Sequence, residues 1–285
     1  MRVAFLGPSG TFAEEALRAS APGKVEEVPF ATVYETVMAV HERAVDRAVV
    51  PIENSLEGSV TTTLDVLAGE AEDVRIVAEL VLPITHCLIA PPGVGLGEVT
   101  RVVSHPQALA QCAVFLRERL PAAERASATS TAEAVRGVAE APDGAAAIGT
   151  RLSAELYGCQ VLAEGIEDRH DNLTRFVWLA PEGTPTHARP TKTSIVFWGF
   201  NDESPGALVG VLGELADRSV NLTKIESRPR RVRLGHYMFF ADLEGAAGDA
   251  RVAEALDALG GRVETLKVLG SYPTIEPAHA AEFGR

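Results

Sequence analysis

Apolar and polar positions along the first 180 residues switch between two periods. Short aliphatic and β-branched runs at Arg2–Leu6, 47–52, 101–103, 145–148 and 176–179 read as buried strands. Between them the apolar spacing lengthens to that of helices, at 12–19, 32–44, 59–67, from Pro106 onward (Leu109, Cys112, Ala113 and Leu116 inward), 130–139 and 150–157. Three of these open on a capping-box signature: Thr11 with Glu14, Thr32 with Glu35, and Ser130 with Glu133. Alternation of strand and helix predicts α/β layers around a largely parallel sheet. Residues 74–90 form a longer apolar stretch broken by Pro83, expected as two strands or as a strand crossing between lobes.

The period changes after residues 181–190, whose sequence PEGTPTHARP has no periodicity and reads as a linker. A strand at 193–200 follows, then a helix from Ser204-Pro205 with Leu208, Val211, Leu212 and Leu215 on one face. Strands at 221–226 and 234–243, a helix at 250–259 and a strand at 262–269 complete the chain. This βαββαβ order is the ferredoxin-like split unit, which licenses no activity by itself. The expected division is a first domain over 1–183, a linker over 184–191, a second domain over 192–273 and a poorly ordered tail over 274–285.

Bulk properties remove whole classes of function. A chain of 285 residues lies near the size at which one core divides into two. Its net charge of −13 repels polyphosphate backbones and anionic membranes, and the dense basic run at 228–233 is short, so neither nucleic acid nor membrane is expected as a partner. No window approaches about eighteen apolar residues and no secretory leader is recognisable, which predicts a cytoplasmic chain. Cys87, Cys112 and Cys159 are odd in number and lack a CxxC pattern, so no disulfide framework and no metal site is expected. No cofactor motif is present, and none is expected to be needed.

Polar clusters recur at one topological place. Gly7 to Thr11, Glu53-Asn54-Ser55, Ser104-His105-Pro106-Gln107 and Gly149-Thr150 each follow the carboxyl end of an expected strand, where open α/β sheets bind ligands. The first is a glycine turn running into a helix, an anion seat by its unpaired N–H groups, though it is neither a P-loop nor a GxGxxG fingerprint. Asn172-Leu173-Thr174-Arg175-Phe176 sets an amide, a hydroxyl and a guanidinium at the mouth of a buried strand, positioned to meet a small anion with several donors. Adjacent Ser104 and His105 do not constitute a nucleophile–base pair, and no nucleophile elbow is present.

Gly7-Pro8-Ser9-Gly10-Thr11-Phe12, Pro51-Ile52-Glu53-Asn54-Ser55, Ser104-His105-Pro106-Gln107-Ala108-Leu109-Ala110-Gln111-Cys112 and Asn172-Leu173-Thr174-Arg175-Phe176 together resemble the prephenate dehydratase family in order and spacing. The carboxy-terminal part resembles an ACT regulatory domain, with Gly206-Ala207-Leu208-Val209 and Glu226-Ser227-Arg228-Pro229 similar to that family's phenylalanine-site motifs. The resemblance implies a two-lobed, periplasmic-binding-protein-like catalytic domain that converts prephenate to phenylpyruvate, carbon dioxide and water without a cofactor. It places Thr174 at the leaving oxygen, with Asn54, Ser104 and Gln111 as neutral donors and Arg175 as a bidentate cation for the carboxylates. Phe176, Ser9, Gly10, Thr11, Ser55, Thr150 and Asn172 complete the implied substrate site. Glu53 either donates a proton, if burial raises its pKa, or braces the loop, the favoured reading. The ACT motifs, with Asn221 and Leu222, imply feedback by L-phenylalanine bound between protomers of a homodimer or homotetramer. No chorismate mutase bundle precedes the first strand, so no mutase activity is expected. Arogenate dehydratase and a non-catalytic amino-acid sensor are the rival readings.

Overall fold

A computed structural model describes residues 1–140, 144–200 and 204–275. The first lobe is built from β1 (Arg2–Leu6), α1 (Phe12–Ser20), β2 (Glu26–Phe30), α2 (Val33–His41), β3 (Arg47–Asn54), β4 (Gly58–Ser59), α3 (Thr61–Ala68) and β5 (Val74–Pro83). The chain then crosses to a second lobe, consisting of β6 (Cys87–Ala90), β7 (Arg101–Ser104), α4 (Pro106–Gln111), α5 (Ala113–Arg119), β8 (Glu124–Ser127), α6 (Thr131–Glu140), β9 (Ala145–Gly149), α7 (Arg151–Leu156) and β10 (Gln160–Glu164). It returns to the first lobe as β11 (Leu173–Pro181). The apolar stretch broken by Pro83 is therefore β5 and β6, which belong to different sheets.

The expected largely parallel sheet needs correction. In the first lobe β2, β1 and β3 run parallel, but β11 is antiparallel to both β3 and β5. In the second, β8, β7 and β9 run parallel, while β6 is antiparallel to β9 and β10. The crossing explains the mixture: a strand arriving from the other lobe enters its sheet from the opposite end.

After the linker come β12 (Lys192–Trp198), α8 (Ala207–Ala216), β13 (Leu222–Pro229), β14 (Tyr237–Glu244), α9 (Ala250–Gly260) and β15 (Thr265–Tyr272), the βαββαβ order read from the sequence. Their antiparallel sheet is ordered β13-β14-β12-β15 and continues through β15 into β5, giving a ten-stranded sheet that spans both domains. The junction depends on Gly270, which pairs with Ile76; a Cβ there would lie 2.2 Å from the Ile76 carbonyl oxygen. Beyond β15, Glu79 N–H reaches Pro273 O at 3.1 Å and Ile275 N–H reaches Glu79 O at 2.7 Å. Residues 274 and 275, assigned to a poorly ordered tail, are thus paired with β5, and 276–285 lie outside the described residues.

Side chains of β11 alternate between two cores, as strand geometry demands. Phe176, Trp178 and Ala180 pack with Phe5, Leu17 and Leu80. Val177 and Leu179 pack on the other face with Ile76, Val196, Phe240 and Tyr272, so that core is shared with the second domain. Phe176 is only 2% exposed, which corrects its assignment to the substrate site. Among the helix starts, Thr32 and Glu35 form both bonds of the capping box, and Ser130 Oγ accepts the Glu133 N–H at 3.0 Å. The box at Thr11 does not form: its hydroxyl donates to Leu6 O, and Glu14 takes the Gly10 N–H instead. The single helix expected after Pro106 breaks at Cys112 into α4 and α5. No helix among the described residues is long and apolar enough to cross a membrane.

Candidate active site

The end of β3 pairs with the start of β11, setting Asn54 opposite Thr174 and Glu53 opposite Arg175. Asn54 Oδ1 accepts the N–H groups of Leu56 and Glu57, each at 3.0 Å, which decides the orientation of the amide. Its Nδ2 therefore faces β11 and donates to Thr174 Oγ1 and Asn172 Oδ1, both at 2.8 Å. With a lone pair occupied by Asn54, the Thr174 hydroxyl keeps its own proton to give. Asn172 Nδ2 in turn donates to Gln111 Oε1 at 3.3 Å, and the same oxygen lies 3.0 Å from His86 Nε2. Asn54, Asn172, Thr174 and Gln111, drawn from three separated motifs, thus form one amide–hydroxyl chain where the lobes meet.

His86 carries no signal in the sequence, since a single histidine in an apolar stretch is unremarkable there. The fold gives it a place on the crossing segment: its N–H donates to Glu167 Oε2 at 2.9 Å and its carbonyl accepts the Ile166 N–H at 3.2 Å. Burial holds its imidazole below the ordinary pKa, although Gln111 and Glu167 work in the opposite direction.

Other expected site residues serve the frame. Ser9 O accepts the Tyr157 hydroxyl at 2.8 Å and Gly10 O accepts the Thr150 hydroxyl at 2.7 Å, which ties the first loop to both ends of α7 in the other lobe. Gly10 sits at φ +91 with Ser153 packed against it, so only glycine suits the contact. Its N–H is taken by Glu14 at 2.5 Å, and Thr11 and the fully buried Thr150 are likewise occupied, so the loop is an interlobe strut rather than an open anion seat. Ser55 Oγ donates to Asp171 O and accepts the Leu173 N–H, pinning the segment that enters β11. Ser104 has no exposed surface and donates to Ile148 O at 2.7 Å; it braces β7 against β9 and is not a donor on the cleft. His105 Nδ1 accepts the Gln107 N–H as the cap of α4, so Ser104 and His105 form no catalytic pair.

Arg175 is the largest correction. The strand pleat turns it to the face opposite Thr174, where Nη1 donates to Asp242 Oδ2 at 2.6 Å and lies 3.6 Å from Glu79 Oε2. Burial disfavours its charge, but Asp242 and its neighbours more than offset this and raise the pKa. The guanidinium is committed to the second domain, not to a substrate carboxylate. Glu53 stands on the same side, 3.5 Å from Arg175 Nε and 3.2 Å from Lys224 Nζ, and so braces the domain junction. Lys192 Nζ joins Glu79 at 2.5 Å in the same network.

In the second domain Gly206 holds φ +83 ahead of α8, followed by Ala207, Leu208 and the exposed Val209. The other motif lies on the edge strand β13, after Asn221 and Leu222. There Glu226 meets the Ser59 hydroxyl, and Arg228 binds Asp65 of α3 through Nε at 3.1 Å and Nη2 at 2.7 Å. Ser227, between these contacts, and Pro229, after them, are exposed. No group of side chains suited to a metal ion occurs among the described residues.

Comparison with known proteins fits this geometry. The prephenate dehydratase profile matches residues 3–184 and the ACT domain profile residues 194–261. Prephenate dehydratase of Mycobacterium sp. (strain JLS) is 43% identical, over 96% of this chain and 89% of its own length. Arogenate dehydratase 1 of Petunia hybrida is 41% identical, over 96% of this chain and 67% of its own. A crystal structure of Arthrobacter aurescens prephenate dehydratase in complex with L-Phe superposes with a TM-score of 0.87 at 41% identity, covering 96% of this chain and 90% of that one. The chain accordingly belongs to the prephenate dehydratase family, lyases that turn prephenate into phenylpyruvate, and carries the ACT domain behind its catalytic lobes.

Proposed function

We propose that Thr174 delivers the hydrogen bond under which the ring hydroxyl of prephenate departs. The carbon–carbon bond to the ring carboxylate breaks, its electron pair enters the ring, and the carbon–oxygen bond on the far side breaks with it. Carbon dioxide and hydroxide leave, the hydroxide takes up a proton, and the ring becomes aromatic. An unperturbed threonine is a poor acid, so Thr174 acts as donor and relay, the proton coming from solvent. The observation that carries this reading is the oriented Asn54 amide, which occupies a Thr174 lone pair and leaves the proton for the substrate. Gln111 Nε2, buried and without a partner among the described residues, supplies a second donor. The bound dianion is thereby held by neutral groups that orient it without quenching its charge.

Incubating the protein with prephenate and following phenylpyruvate is the direct test. Thr174→Ala is expected to lower kcat about 100-fold, the worth of one positioned donor, whereas Thr174→Ser retains most of the rate. Full turnover by the alanine variant would overturn the assignment. The arogenate reading rests on the identity shared with the Petunia enzyme, and comparing kcat/KM for the two substrates decides it. L-Phenylalanine is the proposed effector, supported by the ACT domain and by its presence in the Arthrobacter complex. We place it between protomers of a cytoplasmic homodimer or homotetramer, a reading supported by the exposed apolar side chains of Val209 and Ile225.

A further inference from the structure

The Gln111 amide lies where the lobes meet, and its Nε2 is buried without a partner among the described residues. Its Nε2 end offers a donor to an anionic substrate; its Oε1 end offers a lone pair that repels one. Two contacts fix the choice. Asn172 Nδ2 donates to Oε1 at 3.3 Å, a long bond whose direction is set by Asn54, which donates to Asn172 Oδ1 at 2.8 Å. The second contact is His86 Nε2, 3.0 Å from the same oxygen.

That contact holds only if the imidazole carries its proton on Nε2. His86 Nδ1 is buried with no hydrogen-bond partner among the described residues, so an N–H placed there would be an orphaned buried donor. The ring is 3% exposed and meets the edge of Phe12 at 5.6 Å between centroids, an apolar setting that favours the neutral form. Neutral imidazole with its proton on Nε2 is therefore the form that the surroundings select. Gln111 Oε1 is then held inward by two donors, and Nε2 is the end left over.

We propose that His86 is a positioning residue of the dehydratase reaction, whose Nε2–H locks the Gln111 side chain with its amide nitrogen turned to the substrate. This rests on the reading of the cleft as the prephenate site. His86 touches no substrate itself. Its position on the segment that crosses between lobes, bonded to Glu167 and Ile166 of the returning segment, also makes the lock sensitive to how the lobes are set.

Because Gln111 binds substrate before and during the reaction, His86→Phe is expected to raise KM for prephenate about tenfold while kcat stays within about twofold. His86→Gln restores a donor near the Nε2 position and should keep KM within about threefold of the parent. Combining His86→Phe with Gln111→Met should add no further loss, since the histidine acts only through the amide it holds. Urea midpoints measured alongside establish that each variant is folded. A His86→Phe penalty that persists in full on the Gln111→Met background, or a His86→Phe enzyme with unchanged KM, overturns the proposal alone. A Gln111→Met enzyme with undiminished kcat/KM overturns the substrate-site reading and the proposal with it.

Discussion

A threonine hydroxyl has one proton, and at Thr174 a neighbouring amide determines where that proton can go. The decisive contacts are to Asn54, whose own orientation is set by two backbone N–H groups, so the chemistry rests on a turn of the main chain. Glu15 shows the opposite arrangement, a charge placed where it is unwelcome. Burial, together with Glu155 and Glu14, raises its pKa from 4.5 to about 7 despite the Leu152 N–H and Thr150 hydroxyl nearby. A folded-state pKa above the unfolded value means stability that is fully present below pH 4.5 and is lost as pH rises toward about 7. Glu15→Gln should abolish that slope and make the variant more stable than the parent at pH 8, by on the order of 2 kcal/mol. Urea unfolding at pH 5 and pH 8 measures it, and equal slopes for the two proteins would refute it. At this scale the sequence was informative in part. Asn54 and Thr174 were legible as polar residues at expected strand ends, and Gln111 only through the family motif on the helix after Pro106. Arg175 was misread because a motif lists neighbours in order, whereas a pleated strand sends them to opposite faces.

Strands were legible wherever they are buried on both faces, as at β9, where each residue from Ala145 to Gly149 is buried. The missed ones are the two-residue β4, which pairs with β3 off the main order of the sheet, and β2, β8 and β10, which are sheet edges. EEVPF and ERAS lack an apolar run and QVLAE has one of only three residues between polar ends, because an edge strand faces solvent and carries charge or proline for that reason. Hydrophobic periodicity cannot find an element whose hydrophobic face is so small. Ser104 makes the complementary point: a polar residue at a strand end can belong to the sheet rather than the site. Ser104→Ala removes a buried donor to Ile148 O and should cost about 1–2 kcal/mol of stability in urea unfolding. Its KM and kcat are expected to stay within about threefold of the parent. Loss of activity at unchanged stability would return the hydroxyl to the substrate site.

Over the whole molecule, the two domains share one sheet and one core, so neither is an appendage of the other. The βαββαβ order made the second domain visible in sequence, but its docking was not, because that depends on tertiary contacts such as Gly270 against Ile76 and Asp242 against Arg175. Asp242→Asn should lower stability by about 3 kcal/mol, since it removes the nearest countercharge of a buried guanidinium and leaves Glu79 and Glu53 at longer range. The same variant should weaken inhibition by phenylalanine, which a titration of activity against the amino acid reads directly. Inhibition unchanged in such a variant would mean that this ion pair carries stability and no signal. Residues 174 and 175 are consecutive, one held by the catalytic lobe's amides and the other gripped by the regulatory domain. The peptide unit joining them is planar, so only the soft torsions at the two Cα atoms separate a displacement of β11 at one residue from its neighbour.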